Sequence, residues 1–204
     1  MRNRLSKKKL KQLVRAAEDY HEKDPAYKRD ADMQFYLYLA GVVIAALAIR
    51  LFLFEPVRVD GSSMVDTLHN NEYMFTEKVT YWFREPERGE IITCFYPGYT
   101  ISCVKRVIAI EGDTISIRDG QVYVNGEAVD ESAYVNTEGG SISWSGTLDD
   151  MGEVTVPEDC VFVMGDNRND SKDSRMESVG FIPDYRIVGI CRAVIWPLSE
   201  RRKV

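Results

Sequence analysis

Three short segments of the chain carry hydroxyl, amine and carboxylate side chains at spacings that suit nucleophilic catalysis. Residues 60–68 (DGSSMVDTL) contain adjacent serines, residues 103–113 (CVKRVIAIEGD) place Lys105 and Arg106 side by side, and residues 165–175 (GDNRNDSKDSR) form a polar run after an apolar one. A serine hydroxyl becomes a nucleophile when a neighbouring base takes its proton. The segments therefore predict a serine hydrolase in which another side chain acts as base.

Lysine is the base that these residue types favour. The chain contains two histidines, His21 and His69, which excludes a three-histidine metal site, and His69 lies too close along the chain to Ser63 to serve it well. Only about one lysine in 2,500 is neutral at pH 7, but burial among apolar residues lowers the pKa of the amine. Lys105 has such neighbours in the sequence, and we expect the positive charge of Arg106 to lower its pKa further.

Each segment also has an ordinary structural interpretation. Residues 60–68 resemble a Gly-Ser linker, residues 165–175 resemble a solvated loop, and residues 103–113 resemble an edge strand whose charges prevent further pairing. However, neighbouring side chains of a strand point to opposite faces, so Lys105 and Arg106 cannot both lie on its solvated face. One of these two cations is predicted to point inward or into a cleft.

Length and charge indicate one domain with a tail of different character. The 204 residues, 45% hydrophobic and 28% charged, are typical of a globular protein and exclude collagen-like and wholly disordered chains. Residues 1–30 carry ten Lys or Arg and five Asp or Glu, whereas the remaining 174 residues carry 16 and 27. This change of sign predicts contact with two different environments.

Residues 33–54 are predicted to cross a bilayer. Met33–Ile49 contains no charged residue, and the 21 residues from Gln34 to Phe54 would span about 31 Å as a helix. Arg50 lies near the end of this run, where its side chain can reach the lipid headgroups. The alternative is a buried helix of a soluble protein.

The flanking charges predict the orientation of this helix. Because cations concentrate on its N-terminal side, residues 1–32 are predicted to be a cytoplasmic tail and residues 55–204 an extracytoplasmic catalytic domain of a single-pass cell-membrane protein. The tail is predicted to lie on anionic lipid, with a weak helical stripe of Leu and Val. A nucleic-acid-binding arm is the alternative for the tail.

Residues 55–204 show mainly the alternation of β-strands, which predicts an all-β body. Short β-branched runs separated by turns predict strands at Glu90–Tyr96, Ile101–Ile110, Thr114–Arg118, Gln121–Val124, Cys160–Met164 and Ile187–Trp196. Residues 130–157 contain many Gly and Ser and are predicted to be an insertion of loops and weak hairpins.

The four cysteines, Cys94, Cys103, Cys160 and Cys191, allow three disulfide connectivities. A bridge between Cys94 and Cys103 across the predicted hairpin and buried free thiols both stay open at this point. No Cys-x-x-Cys pair occurs, so neither a metal nor another cofactor is expected.

The three segments, in this order and after an apolar helix, resemble the motifs of the type I (leader) signal peptidases, which are membrane-anchored Ser-Lys proteases. The resemblance extends from about residue 35 to residue 197, and its closing signature is the most specific part because eight residues match at fixed spacing. The matching residues are Gly61–Leu68, Arg88–Ile92, Lys105–Ile108, Gly112, Asp113, Gly165–Arg168, Ser171, Asp173–Arg175 and Val179–Pro183.

This resemblance implies a role for each matching polar residue. Ser63 would be the nucleophile and its backbone N–H an oxyanion donor, Lys105 the general base, and Ser171 a hydrogen-bond partner that orients the lysine amine. A supporting charge network would be formed by Asp173, Arg106 and Arg175. The implied fold is a β-barrel or coiled antiparallel sheet on a single N-terminal transmembrane helix.

Two residues depart from the family pattern. Asp66 replaces a proline, which is expected to loosen the loop, and its carboxylate is expected to raise the pKa of Lys105. Gly61 stands where some members have a serine that donates to the oxyanion, so the second oxyanion donor is not identified.

The predicted function is therefore a membrane-bound serine endopeptidase that cleaves signal peptides from secretory precursors after Ala-x-Ala-like sites. Its expected partners are signal peptides and the lipid bilayer, and nucleic acid is not expected. The alternative is a catalytically impaired, membrane-anchored peptide-binding relative, which Asp66 favours. A self-cleaving Ser-Lys repressor would need a DNA-binding domain, for which residues 1–32 are too short. A general and a narrow client set, such as pilins, both stay open, as does the oligomeric state.

Overall fold

The chain folds as two units that divide between Ile49 and Arg50. The computed structural model describes residues 7–23, 25–65, 67–135 and 151–204 of the chain. The first unit is helical, whereas the second is built from antiparallel strands and their connections.

The first unit contains helix α1 (Lys7–Lys23) and helix α2 (Pro25–Ala48). Of the apolar stripe predicted in the basic tail, Leu10, Leu13, Val14 and Ala17 lie on α1, whereas Leu5 lies outside the described residues. After α2, residues Ile49–Leu53 form a π-helical turn. The 25 residues Arg29–Leu53 are long and apolar enough to cross a membrane, and none of them is buried within the protein.

The predicted end of the apolar helix at Phe54 is wrong, because this residue begins a strand. Phe54 pairs with Glu77, and its ring packs on that of Phe75 with centroids 4.6 Å apart. Hydrophobicity alone predicts burial or lipid contact but does not distinguish the last turn of a helix from the first residue of an apolar strand.

The second unit contains twelve strands among the described residues. In chain order they are β1 (Phe54–Arg58), β2 (Tyr73–Glu77), β3 (Ile91–Phe95), β4 (Ser102–Ala109), β5 (Thr114–Arg118), β6 (Gln121–Val124), β7 (Glu127–Ala128), β8 (Met151–Thr155), β9 (Cys160–Met164), β10 (Ile182–Pro183), β11 (Ile187–Trp196) and β12 (Arg202–Lys203). One sheet has the order β1-β2-β11-β3-β4-β9-β10 with β12 beside β11, and the other has the order β7-β6-β5-β8. Every pairing is antiparallel, so the predicted antiparallel β body is confirmed.

The predicted strands agree closely with the structure. The bounds of β5, β6, β9 and β11 match, and β3 and β4 each begin and end one residue inside the predicted run. The short strands β1, β2, β7, β8, β10 and β12 were not predicted. β8 lies within the predicted insertion 130–157, of which residues 136–150 lie outside the described residues.

Apolar side chains cover both faces of β3 and β4 at the centre of the larger sheet. One buried cluster contains Met64, Leu68, Met74, Ile91 and Val104 among its members, and a second contains Ile92, Cys94, Val107, Val161 and Val163. Since neither face is solvated there, a cation on this part of β4 is removed from water whichever way it points.

Candidate active site

Residues 60–68, called the serine loop below, follow β1 and are anchored by two core side chains. Met64 and Leu68 are 1% and 0% exposed, and the N–H of Leu68 donates to the carbonyl of Met64 at 2.8 Å. Gly61 has φ = +108°, a backbone conformation that side chains with a Cβ rarely adopt, and it turns the chain into the loop. Ser63, which is partly exposed, is thereby held between the turn at Gly61 and the buried side chain of Met64.

Residues 165–175, called the closing loop below, hold the serine loop from the other side. The backbone N–H of Asn167 donates to the carbonyl of Ser63 at 3.0 Å, and its side-chain amide donates to the carbonyl of Ser62 at 3.1 Å. The Thr67 hydroxyl donates to the Asp166 carboxylate at 2.5 Å. The position of Ser63 is therefore fixed by a segment about one hundred residues further along the chain.

Gly165 permits the closest approach of the two loops. A Cβ at this position would collide with the Ser171 hydroxyl and with the carbonyl oxygen of Ser63. The absence of a side chain at Gly165 therefore allows the backbones to pack together where the nucleophile candidate is held.

Lys105 on β4 places its amine beside the Ser63 hydroxyl. The residue is 3% exposed, its Nζ lies 2.7 Å from Ser63 Oγ, and Nζ also donates to the carbonyl of Val104 at 2.8 Å. Burial lowers the pKa of this amine below its ordinary value of 10.5, although negative charge on Cys103 and Asp173 acts in the opposite direction. A neutral amine at this distance can accept the hydroxyl proton.

Arg106, the neighbour of Lys105 on β4, has its own charged partner. Its guanidinium donates to Asp166 at 2.8 and 2.6 Å, and the Tyr134 ring covers it with 4.1 Å between the guanidinium carbon and the ring centroid. The charge of Arg106 is therefore offset by a neighbouring carboxylate, and burial is the largest cause of the lowered pKa of Lys105, so an additional effect of Arg106 on this pKa stays a prediction. The prediction that one of the two cations leaves the solvent is confirmed, and in fact both do, since the Arg106 side chain is 11% exposed.

The predicted network of Asp173, Arg106 and Arg175 is divided into two separate ion pairs. Arg175 donates to Asp173 at 2.7 and 2.8 Å, and Asp173 also accepts the backbone N–H of Gly165 at 2.9 Å. Arg106 pairs with Asp166 instead. The reason is strand register: Arg106 lies opposite Met164 at the end of β9, and Asp166 follows two residues later.

A third buried pair, between Glu131 and Arg168, was not predicted. Arg168 donates to the two Glu131 oxygens at 2.6 and 2.5 Å, and the two side chains are 1% and 8% exposed. The Tyr134 hydroxyl donates to the same carboxylate at 3.2 Å. Arg168 is a fixed member of the closing signature and was the only signal for this pair in the sequence. Its partner was missed because Glu131 lies 37 residues earlier, in a segment that was predicted to be loops.

Ser171 lies beside this site without the predicted hydrogen bond. Its Oγ is buried and has no hydrogen-bond partner among the described residues, so the predicted bond to the Lys105 amine is not formed. Likewise, within the described part of the chain, the backbone N–H of Ser63 donates to no acceptor. Asp66, to which a loosening effect and a raised lysine pKa were ascribed, lies outside the described residues.

Comparison with known proteins identifies relatives along most of the chain. The family model described as signal peptidase, peptidase S26, matches residues 33–196. Signal peptidase I S of Bacillus subtilis (strain 168) is 36% identical over 178 residues, covering 86% of this chain and 95% of the relative. Signal peptidase I T of the same organism is 38% identical over 187 residues, covering 89% and 94%. A solved signal peptidase I from Enterococcus faecalis V583 is 28% identical, covers 52% of this chain and 97% of that chain, and superposes with a TM-score of 0.39.

Proposed function

Because this chain belongs to the signal peptidase family of peptidase S26, we propose that it is a membrane-bound serine endopeptidase that uses Ser63 as nucleophile and a neutral Lys105 as general base. Its substrates are the N-terminal signal peptides of secretory precursors. The observation that carries the assignment is the distance of 2.7 Å between Lys105 Nζ and Ser63 Oγ at a lysine that is 3% exposed.

The proposed reaction begins with transfer of the Ser63 proton to the lone pair of Nζ while Oγ attacks the scissile carbonyl carbon. The Val104 carbonyl accepts one amine hydrogen and so helps to aim the lone pair at the hydroxyl. The resulting ammonium then protonates the leaving amine. A water molecule, activated by the same amine, hydrolyses the ester at Ser63. Because burial disfavours the ammonium, each proton that Nζ accepts is readily passed on.

We propose that the backbone N–H of Ser63 stabilises the developing oxyanion. This N–H is unengaged among the described residues, and its orientation is constrained because the Ser62 carbonyl, which lies in the same peptide plane, accepts a hydrogen bond from the Asn167 side chain. A preorganised donor of this kind contributes more to catalysis than one that must reorient during the reaction.

The remaining site residues are proposed to position the reacting groups. The pair Arg106–Asp166 joins the closing loop to β4, and the pair Arg175–Asp173 stabilises the closing loop internally. The buried hydroxyl of Ser171 has no partner among the described residues, which is energetically unfavourable, and we expect it to hydrogen-bond the Lys105 amine once a substrate occupies the site.

For the membrane topology, we propose a cytoplasmic tail over 1–32, a transmembrane helix that begins at residue 33 and ends by Leu53, and an extracytoplasmic catalytic domain that begins with β1. Ten Lys or Arg within residues 1–30, followed by an apolar helix that is long enough to span a bilayer, support this orientation. The substrate would bind as an extended strand beside residues 56–63 and the part of β4 that ends at Lys105, with small residues at the first and third positions before the cut.

The test is cleavage of a precursor with an Ala-x-Ala site by the full chain in detergent. Ser63→Ala and Lys105→Ala are expected to lower kcat/KM by about 10³-fold or more. Ser199→Ala and Lys203→Ala, which alter exposed side chains, serve as matched controls and should keep the parent rate. In the parent protein, kcat/KM should rise about tenfold per pH unit up to an apparent pKa below the ordinary 10.5 of lysine. Undiminished cleavage by both site variants would refute the assignment, whereas no cleavage by the parent would favour a peptide-binding relative.

A further inference from the structure

Cys94 and Cys103 face each other across the hairpin that carries Lys105. They are register partners on β3 and β4, and their Sγ atoms are 3.6 Å apart. Directly paired residues of antiparallel strands have Cα separations of about 4.5–5.5 Å, which lies within the range that disulfides bridge. Bond formation therefore requires side-chain rotation but no change of strand register.

The two thiols differ in exposure and acidity. Cys94 is 0% exposed, whereas Cys103 is partly exposed and follows the exposed residues Ile101 and Ser102. The hydrogen bond between the thiols lowers the pKa of Cys103 and raises the pKa of Cys94. Cys103 is thus the more accessible and more nucleophilic of the two.

We propose that Cys94 and Cys103 form a dithiol–disulfide modification site, oxidised by exchange with a low-molecular-weight disulfide. In the first step, the Cys103 thiolate attacks one sulfur of the reagent, which forms a mixed disulfide and releases one thiolate. In the second step, the Cys94 thiolate attacks the Cys103 sulfur and releases the second thiolate. The two protons lost by the cysteines are taken up by the two released thiolates, so the protein is oxidised by two electrons and one disulfide becomes two thiols.

The remaining cysteines have different surroundings. Cys191 is buried, and its Sγ contacts the hydroxyl of Thr93 at 3.4 Å rather than another sulfur. Cys160 is partly exposed on β9. Of the four cysteines, all of which lie in the described residues, only Cys94 and Cys103 have their sulfur atoms in contact. Cys160 and Cys191 are therefore internal controls for the selectivity of oxidation.

The disulfide would lie close to the candidate base. Cys103 precedes Lys105 by two residues on β4, so the two side chains lie on the same face of the strand. Oxidation would place a covalent link between β3 and β4 next to the amine and remove an ionisable thiol beside it. The modification site itself does not depend on the proposed peptidase activity, and its test reads mass rather than cleavage.

The test equilibrates the reduced full chain, folded in detergent, with oxidised glutathione, followed by alkylation and digestion with trypsin. Residues 89–105 form one tryptic peptide that contains both Cys94 and Cys103 and no other cysteine. We expect this peptide to lose two hydrogen atoms and to resist alkylation, while Cys160 and Cys191 do not become linked. Alkylation of both thiols in this peptide after oxidation, or a link from either one to another cysteine, would overturn the proposal.

Two single variants test the predicted order of attack. Cys94→Ser should accumulate a mixed disulfide of glutathione on Cys103, because the second thiol is missing. In Cys103→Ser, the buried Cys94 should react at least about tenfold more slowly with the same reagent. Equal rates in the two variants, when both show the parent's cooperative thermal unfolding, would contradict the assigned roles. If a variant does not fold, the mass of the 89–105 peptide from the oxidised parent protein still tests whether Cys94 and Cys103 form a disulfide.

Discussion

Lys105 and Arg106 are consecutive residues of β4, but the fold compensates their charges in opposite ways. Lys105 forms no ion pair with any described residue, and its amine contacts a hydroxyl and a carbonyl while burial lowers its pKa. Arg106 is paired through two hydrogen bonds with Asp166. A guanidinium cannot lose its proton under ordinary conditions, whereas an ammonium can. In this interior, the arginine is therefore suited to holding structure and the lysine to proton transfer.

Two further arginines near Arg106 also form buried ion pairs. Arg106–Asp166, Arg168–Glu131 and Arg175–Asp173 are three nearly dry ion pairs within or beside the closing loop. Buried pairs of this kind add little net stability over apolar packing, but breaking one is costly because it leaves an uncompensated charge. The contrast between an unpaired lysine and paired arginines leads to the following predictions.

The largest effect on cleavage is expected when Lys105 is replaced by arginine and, in a separate variant, Arg106 is replaced by lysine. Lys105→Arg should lower kcat/KM for a precursor by about 10⁴-fold, because a guanidinium stays protonated and cannot accept the Ser63 proton. Arg106→Lys keeps a positive charge beside Asp166 but loses one charged hydrogen bond, so a loss of about 10- to 100-fold is expected. Equal losses in the two variants would remove the distinction between these residues.

The next effect concerns the free energy of unfolding when one of these buried ion pairs is broken. Glu131→Gln leaves the Arg168 cation buried beside a neutral amide, and we expect the free energy of unfolding to fall by about 3 kcal/mol in a urea titration. Glu127→Gln removes an exposed charge from β7 and should change it by less than about 0.5 kcal/mol. If the two variants were equally stable, pairing would not be what supports the closing loop.

A smaller effect should appear in the pH dependence of stability. Because the folded pKa of Lys105 is lowered, the unfolded chain binds more protons than the folded chain between that pKa and about 10.5. The free energy of unfolding of the parent should therefore rise with pH in this window, by up to about 1.4 kcal/mol per unit, relative to Lys105→Met. Below the folded pKa, the difference between the two proteins should be constant. Parallel curves throughout the window would mean that the lysine has an ordinary pKa in the folded protein.

The smallest effect on stability is expected at Ser171. Since its hydroxyl has no partner among the described residues, Ser171→Ala should change the free energy of unfolding by less than about 1 kcal/mol, while kcat falls about tenfold at unchanged KM. The matched variant Ser174→Ala removes a buried hydroxyl that accepts the N–H of Val163 at 3.0 Å, and should cost about 1–3 kcal/mol. An unchanged kcat in Ser171→Ala would remove Ser171 from the positioning residues.

The strands that were predicted well are those whose residue alternation and turns are determined by residues close in sequence. β5 and β6 are joined by Asp119 and Gly120, both with positive φ, a turn that sets their register from neighbouring residues alone. β2 was not predicted because its apolar residues Tyr73, Met74 and Phe75 are consecutive and do not alternate with polar ones. Its pairing with β1 and β11, which lie far apart in the sequence, determines that it is a strand.

The same distinction applies to the candidate site. Ser63, Lys105 and the closing loop were found through motifs in which each residue is close to its neighbours in sequence. The partner of Arg106 was not, since Asp166 and Asp173 lie in the same loop and only the register of β4 with β9 selects between them. The pairing of Glu131 with Arg168 depends on contact across the fold and has no local signal.

The hydrogen bond from Asn167 to the carbonyl of Ser63 has a consequence for biosynthesis. A ribosome makes the serine first, then the lysine, and the segment that clamps the serine only after about 165 of 204 residues have been joined. A nascent chain that already contains both reactive groups still lacks the restraint on their alignment. We therefore expect Ser63 and Lys105 to become aligned only late in translation.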